Sequence, residues 1–409
     1  MDLMIISNYW HFECEKSSSR YLSVADMASD AGEEVEVVTS SFYHTAKEQR
    51  TLSKSILESY KYKTTLIYEP GYRKNIDPLR VLSHKKFSIN VINYIKQRKK
   101  PDTIYMFSPP INLAFAVVEY SKKHNIRIII DVLDLWPEAY NMLTPSSLRW
   151  ITKFLLGPMK KKADYVYRNA NDAIAVSQTY ADRINCVRGD DAFSVYIGID
   201  MKTFDSAYYK IERSKNLHTL VYIGMLGKSY DIKCAIDAIN HLNRKDIKLL
   251  VMGDGPLREV FEKYANQKHI NYEFTGRLPY AQMIQRLVNC DIALNVITSG
   301  AVQSIINKHA DYLAAGLPVI SNQEIAEFGD LLEEYQCGIN CKNGDYVSLA
   351  KAIIRLIDNS DLMETMGKNA RKLAIEKFDR DKTYIKIIDL IKKRDKNEIT
   401  SSYINYESN

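Results

Sequence analysis

The chain is 409 residues long, 46% hydrophobic and 26% charged, with a formal net charge of +6. That length exceeds one ordinary core, so two domains are expected, and so modest a charge argues against a dedicated nucleic-acid binder. No run of 18 apolar residues is present, so no membrane-spanning helix is predicted; MDLMIISNYWHFECEK lacks the basic and apolar regions of a signal peptide, and Met4–Ser7 within it reads as the first buried strand. The six cysteines (Cys14, Cys186, Cys234, Cys290, Cys337 and Cys341) show no CxxC spacing. Cys337 and Cys341 have no second Cys/His pair to complete a zinc set, so no metal site is predicted and reduced cytoplasmic thiols are expected.

Short β-rich runs alternate with helical stretches through the first half: Met4–Ser7, Glu34–Thr39, Thr64–Tyr68, Thr103–Phe107, Ile126–Asp131, Ala173–Val176 and Phe193–Ile197. This alternation marks an α/β chain whose parallel sheet is covered by helices. A helix is predicted from about Ser19 to Ala31, closed by Gly32, with Ser17, Ser18 and Ser19 as candidate N-caps. From Arg80 to Lys100 there are seven basic residues (Arg80, Lys85, Lys86, Lys96, Arg98, Lys99, Lys100) and no acid. Asp134, Trp136, Pro137 and Glu138 then follow the strand ending at Asp131, where open α/β sheets bind ligands. That pairing of an acid with an aromatic singles out Asp134.

Between Ser147 and Ala163, Trp150, Ile151, Phe154 and Leu155 fall at helical spacing beside Lys160, Lys161 and Lys162. Gly157-Pro158 is expected to interrupt this helix. The apolar residues are expected to pack on their own sheet, while apolar face and lysine rim together suit an anionic membrane surface.

The second half begins with the strand Leu220–Ile223 and a two-glycine turn, Gly224-Met225-Leu226-Gly227-Lys228, of the kind that brings backbone amides to phosphate. Lys248–Met252 ends in Gly253-Asp254-Gly255, and Asn271 to Arg277 follows. From Ala301 a helix is predicted that stops at Gly316, ahead of the strand Pro318–Ser321. Gln303 and Asp311, eight residues apart, would share one helix face. A carboxylate there can accept hydrogen bonds from two ligand hydroxyls, and first-turn amides favour an anion.

The run Asn307-Lys308 through Asp311-Tyr-Leu-Ala-Ala-Gly316-Leu-Pro318-Val resembles the donor-binding helix of retaining glycosyltransferase family 4. The segment Asp134-Leu-Trp-Pro-Glu138 resembles that family's bacterial surface-polysaccharide branch. Gln303 stands where the family commonly has an acid, Met225 where it has an arginine, and serines replace a glycine-rich first turn. The resemblance implies two Rossmann-like domains facing a cleft (the GT-B architecture), with a C-terminal helix returning to the first domain. Residues 1–203 would hold the acceptor, 204–380 the nucleotide-sugar, and 381–409 would form the returning helix and a polar tail.

It further implies metal-independent transfer, with retention, from a nucleotide-diphospho-sugar to a saccharide or lipid-linked acceptor in surface polysaccharide biosynthesis. A UDP-sugar is the expected donor, no cofactor is implied, and the expected location is cytoplasmic, peripheral on the inner face of the cell membrane. On that resemblance Asp311 holds the ribose, while Lys228, Lys308 and the amides near Ser304 meet the diphosphate. Gly224, Gly227, Gly253, Arg277, Gln303 and Asn307 line the donor, and Asp134 lies beside the attacking hydroxyl. A sugar-nucleotide epimerase of the same architecture and a catalytically silent nucleotide-binding subunit, suggested by Gln303, are the alternatives.

Overall fold

The computed structural model describes residues 1–393 except 16–18, 76, 144–148, 190, 209–216 and 302, and leaves out the side chains of 141–143 and 149–153. Two of the three serines expected to cap the first helix, the Trp150 and Ile151 side chains, and the polar tail therefore lie outside the described residues. The chain divides into two compact units, one of Met1–Val195 with the segment from Thr383, the other of Tyr196–Lys382.

The first unit contains β1 (Asp2–Ser7), β2 (Glu34–Ser40), a small antiparallel ribbon of β3 (Phe42–Tyr43) and β4 (Glu48–Gln49), β5 (Lys63–Ile67), β6 (Thr103–Ser108), β7 (Arg127–Val132), β8 (Asp172–Ala175) and β9 (Phe193–Ser194). All but the ribbon form one parallel sheet in the order β5-β2-β1-β6-β7-β8-β9. The second unit repeats the plan with β10 (His218–Ile223), β11 (Ile247–Met252), β12 (Asn271–Gly276), β13 (Ile292–Asn295), β14 (Val319–Ser321) and β15 (Gly338–Asn340), ordered β12-β11-β10-β13-β14-β15. Helices cover both faces, so the central strands are apolar with little alternation: Leu3, Met4, Ile5 and Ile6 of β1 are all fully buried. Strand order reverses between β1 and β6 and between β10 and β13. The ends of those strands are where such sheets leave room for a ligand.

The division at Val195/Tyr196 lies a few residues before the expected 203/204, for a local reason. Tyr196 stacks on Phe378 with ring centroids 5.0 Å apart. The Ile199 N–H donates to the Phe378 carbonyl (2.8 Å) and the Arg380 N–H to the Ile199 carbonyl (3.0 Å), binding 196–200 into the second unit. The last described helix, Ile385–Lys392, buries Ile387, Ile388, Leu390 and Ile391 within the first unit.

Three local expectations change. The strand expected at Phe193–Ile197 pairs only at Phe193 and Ser194. The helix Arg149–Asn169 continues through Pro158, because the carbonyl deprived of its partner belongs to Phe154 on an exposed turn. Phe154 itself is 83% exposed and Leu155 is also exposed, so neither packs on the sheet as expected.

The helix Pro78–Gln97 starts on an Asp77 cap with proline in its first turn, and its polarity is unusual. It buries Ser83, His84 and Ser88 beside Phe87, Val91 and Ile95, while Leu79, Val81, Leu82 and Ile89 are each about half exposed next to Lys85 and Lys86.

At the centre of the first unit Arg20 donates from Nε and Nη2 to Asp131 (2.7 and 3.1 Å) and from Nη1 to the Val195 carbonyl (2.8 Å). Both side chains are almost completely buried. Removing one partner of such a pair strands the other charge. Arg20→Met is therefore expected to destabilise the first unit by about 3–5 kcal/mol, and Arg20→Met/Asp131→Leu to recover most of that. Urea unfolding of the two variants measures it; an unchanged midpoint for the single variant would contradict this account.

Candidate active site

In the second unit the loops after β10, β11 and β13 and the helix Asn307–Ala314 meet at the carboxyl edge of the sheet. Gly224 has φ +124 and donates its N–H to the Met252 carbonyl (3.0 Å). A Cβ on Gly253 would lie 1.8 Å from the Gly224 carbonyl oxygen, and one on Gly255 2.5 Å from that of Leu226. The two turns thus touch backbone to backbone, and Gly253 is required by that contact before any ligand is considered. Gly227 has only the Met225 side chain near the position of a Cβ. Lys228 is exposed, in a turn pinned by Thr298, whose hydroxyl donates to the Lys228 carbonyl (2.9 Å) and whose N–H donates to the Ser229 carbonyl (3.0 Å). Arg277 is exposed just past β12.

The helix expected from Ala301 begins only at Asn307, with Ile306 extended (φ −123, ψ 158) as its cap residue. The carbonyls of Gln303 and Ser304 are taken by the Gln323 side-chain amide (2.8 and 2.7 Å), so they never enter the helical ladder. Gln303 and Asp311 accordingly do not share a helix face. Ser304 is buried and donates to Glu327 (2.5 Å). His309 Nδ1 accepts from the Ile306 N–H (3.4 Å), but among the described residues no side chain of the cap residue accepts from the amides of the first turn, which leaves an end suited to an anion. The far end closes as expected, at Gly316 with φ +67.

Asp311 is only 9% exposed and accepts a 2.7 Å hydrogen bond from the Tyr280 hydroxyl, whose pKa burial and Asp311 both push up. Tyr280 stands thirty-one positions upstream, and no local motif announces its contact with Asp311. Tyr312 fixes the helix to the sheet, accepting from the Ile223 N–H (2.8 Å) and donating to the Leu294 carbonyl (3.2 Å).

Buried polar atoms with no hydrogen-bond partner among the described residues gather at this edge: Gln303 Oε1, Lys308 Nζ, His309 Nε2, Asn295 Oδ1 and Asn322 Nδ2. Such atoms are costly to leave unmatched and are rare in native interiors. Lys308 Nζ sits 4.3 Å from the ring centroids of both Tyr222 and Tyr230. Burial holds its pKa well below the ordinary lysine value. His309 stacks on Phe328 at 3.5 Å, and burial, with Lys308 adding, holds its pKa well below the usual range.

Asp134 lies in the first unit, past the end of β7, and accepts from the Trp136 indole N–H (2.9 Å); burial raises its pKa. Around it the structure gathers groups that sequence reasoning missed: Tyr9, His44, Tyr72, Arg80 and His84, from four separate segments. Nothing local connects them, and Arg80 read as one charge in a basic run.

Both units have the parallel-sheet, Rossmann-like form of GT-B glycosyltransferase structures. The family model described as "Glycosyl transferases group 1" matches residues 208–373. The chain is 22% identical over 252 residues to "Probable glycosyltransferase WbjE" of Pseudomonas aeruginosa, a match covering 59% of this chain and 62% of that relative. Among solved structures, Anabaena HepE in complex with UDP superposes with TM-score 0.69 at 15% identity, covering 96% of this chain and 99% of that one. WaaG, a glycosyltransferase involved in lipopolysaccharide biosynthesis, superposes with TM-score 0.66 at 13% identity, covering 95% and 99%.

The Lys308 arrangement has a consequence for stability. With its folded pKa depressed, the folded chain gives up this proton at lower pH than the unfolded chain does, so stability rises with pH from the depressed value up to about 10.4, the unfolded lysine value. Lys308→Met is expected to be more stable than wild type at pH 7. Its advantage should shrink by up to about 1.4 kcal/mol per unit as pH climbs toward that value. Denaturation at several pH values reads this directly. A Lys308→Met variant less stable than wild type at pH 7 would mean the amine is held charged between the rings.

Proposed function

We propose that the protein is a glycosyltransferase that moves a sugar, with retention, from a nucleotide diphosphate to a lipid-linked saccharide in surface polysaccharide biosynthesis. The observation that carries this reading is the set of buried polar atoms, unpartnered among the described residues, around the start of the Asn307–Ala314 helix, with Asp311 held by Tyr280 nearby. Those groups match the parts of a nucleotide-sugar: a carboxylate for ribose hydroxyls, helix amides and lysines for a diphosphate, and neutral amides for sugar hydroxyls. The likeness to HepE, solved with UDP, favours a UDP-sugar. The group 1 match over 208–373 favours transfer over epimerisation.

In this reading an arriving diphosphate favours the protonated form of Lys308 that burial alone disfavours, and Lys228, Lys308 and the helix amides then stabilise charge developing on the departing diphosphate, the kind of electrostatic stabilisation that dominates the rate enhancement of many enzymes. A cation supplied by side chains does the work often given to Mg²⁺, so turnover is expected to persist in excess EDTA. Asp134, in the first unit, is assigned to the acceptor hydroxyl. Turnover of a panel of UDP- and GDP-sugars, with and without a polyprenyl-diphosphate-linked acceptor, separates transfer from epimerisation and from mere nucleotide binding. Asp311→Ala is expected to weaken UDP binding by about 1.5–3 kcal/mol in a calorimetric titration while the fold persists. An unchanged affinity would remove the ribose contact from this account.

A lipid-linked acceptor calls for membrane docking, and the two basic stretches differ in their fitness for it. Lys160 pairs with Asp164 (2.7 Å) and Lys162 donates to Asn112 (2.8 Å). Along Pro78–Gln97, by contrast, exposed Lys85, Lys86 and Lys96 flank the exposed Leu79, Leu82 and Ile89. That combination supports docking on an anionic leaflet, since each basic residue there contributes about 1 kcal/mol. Binding to phosphatidylglycerol vesicles at low salt, little to neutral ones, is expected. Lys85→Gln/Lys86→Gln should lower it by about tenfold or more. A protein indifferent to anionic vesicles would point to a soluble acceptor.

A further inference from the structure

Arg80 on the Pro78–Gln97 helix and Lys47 in the turn between β3 and β4 are charges that the donor reading leaves unused. The Arg80 guanidinium lies 5.5 Å from the Tyr72 ring centroid, 4.9 Å from that of Trp136 and 6.0 Å from that of Tyr9. The Lys47 ammonium lies 5.1 Å from the same Tyr72 ring. Arg80 donates to neutral oxygens, the Asn75 carbonyl (2.8 Å) and the Tyr9 hydroxyl (2.8 Å), and its Nε is buried with no partner among the described residues. Lys47 donates to the His44 carbonyl, with His44 Nδ1 3.2 Å from its ammonium. Among the described residues neither cation is in ion-pair contact with a carboxylate.

The nearby acids are otherwise engaged. Glu69 is fully buried and accepts from Asn8 (2.7 Å), Ser40 (2.6 Å) and Ser83 (2.7 Å), and Asp134 accepts from the Trp136 indole. Burial pushes His44 and His84 down to about 3, with Lys47 and Arg80 adding at His44 and Arg80 at His84, so both imidazoles are neutral. Two like charges held near one ring repel, and each is partly desolvated; an arriving anion would relieve both costs. The surroundings suit a sugar. Tyr9, His44 and Trp136 are partly exposed above a floor of buried Tyr72 and His84, offering ring faces for C–H packing and polar edges for hydroxyls.

We propose that Arg80 and Lys47 form an anion-accepting subsite in the first unit, which takes the carboxylate or phosphate of an acidic saccharide against Tyr9, Tyr72 and Trp136. Its identity as the acceptor's site rests on the glycosyltransferase reading; the binding itself does not. The arginine fork fits either anion in a bidentate manner, so the two are separated by experiment.

The full chain is titrated with glucuronate, glucose 1-phosphate and glucose, with UDP present to fill the donor site. At least one acid should bind about tenfold tighter than glucose, and the preference should fall with salt. Arg80→Gln and Lys47→Gln should each abolish the preference while melting behaviour and UDP affinity stay at wild-type values. A stronger glucuronate signal identifies a uronic acid, and a stronger glucose 1-phosphate signal a phosphate. Equal binding of the three sugars, no binding of either acid, or a preference that survives both substitutions overturns the proposal. The wild-type panel decides the matter even where a variant fails to fold. Acid preference that depends on Arg80 in a chain that ignores UDP would sink the donor reading and leave this subsite standing. The converse would do the opposite.

Discussion

The first unit depends on one buried ion pair. Arg20 opens the first helix, behind the Ser19 cap, and spends its guanidinium on Asp131, on the Val195 carbonyl and on the face of Tyr384 (4.9 Å). Asp131 also accepts from the Tyr105 hydroxyl (2.7 Å). One side chain thereby joins β7, the end of β9 and the returning C-terminal segment. Arg127 secures the far end of that segment, donating to the carbonyls of Leu390 and Ile391 (2.7 and 3.0 Å), where a helix terminus is partly negative. Two buried charges are tolerable because each guanidinium nitrogen and each carboxylate oxygen has a partner. Asp131 is three residues from Asp134, so the pair also sets where the candidate acceptor edge stands.

The helix Pro78–Gln97 shows what a buried polar cluster does to an amphipathic pattern. An ordinary surface helix puts its leucines inward. Here the inward positions Ser83 and His84 serve the polar cluster at the strand ends: Ser83 donates to buried Glu69, and His84 Nε2 lies 3.3 Å from the Tyr9 hydroxyl. The apolar residues displaced by this demand face out, among lysines. One helix thus presents a polar, aromatic-bound face to the first unit and an apolar, basic face to whatever lies outside it. The proposed acceptor subsite and the proposed membrane contact are two sides of the same element.

The second unit separates rigidity from chemistry differently. Tyr312 clamps the Asn307–Ala314 helix to β10 and β13, and Gly316 lets that helix end tightly against Gly367, where a Cβ would stand 2.5 Å from the Gly316 carbonyl oxygen. The first turn of the same helix carries Lys308 and His309, both desolvated and both with an unmatched nitrogen. Such groups lower stability, and they persist where a ligand supplies what the protein withholds.

Much of this was legible in the sequence. All seven strands expected in the first half are present; the central ones are buried on both faces and so largely apolar, while the edge strand Lys63–Ile67 is polar at Lys63, Thr64 and Thr65. Gly316 ends its helix because a left-handed residue followed by proline admits no continuation. Asp311 and Lys308 stood out through a motif whose small residues and tyrosine are required by local packing. What the sequence did not reveal was settled at long range. Gln303 leaves the helix because Gln323, twenty residues on, captures its carbonyl. Arg80 turns inward, while Arg98 of the same basic run pairs with Asp2 (2.7 Å). Phe154 stays exposed although its helical spacing matched a core face. Hydrophobic period and turn residues report constraints between near neighbours in the chain. Which polar groups find partners depends on side chains brought together only when the sheet closes, and that the tertiary structure alone decided.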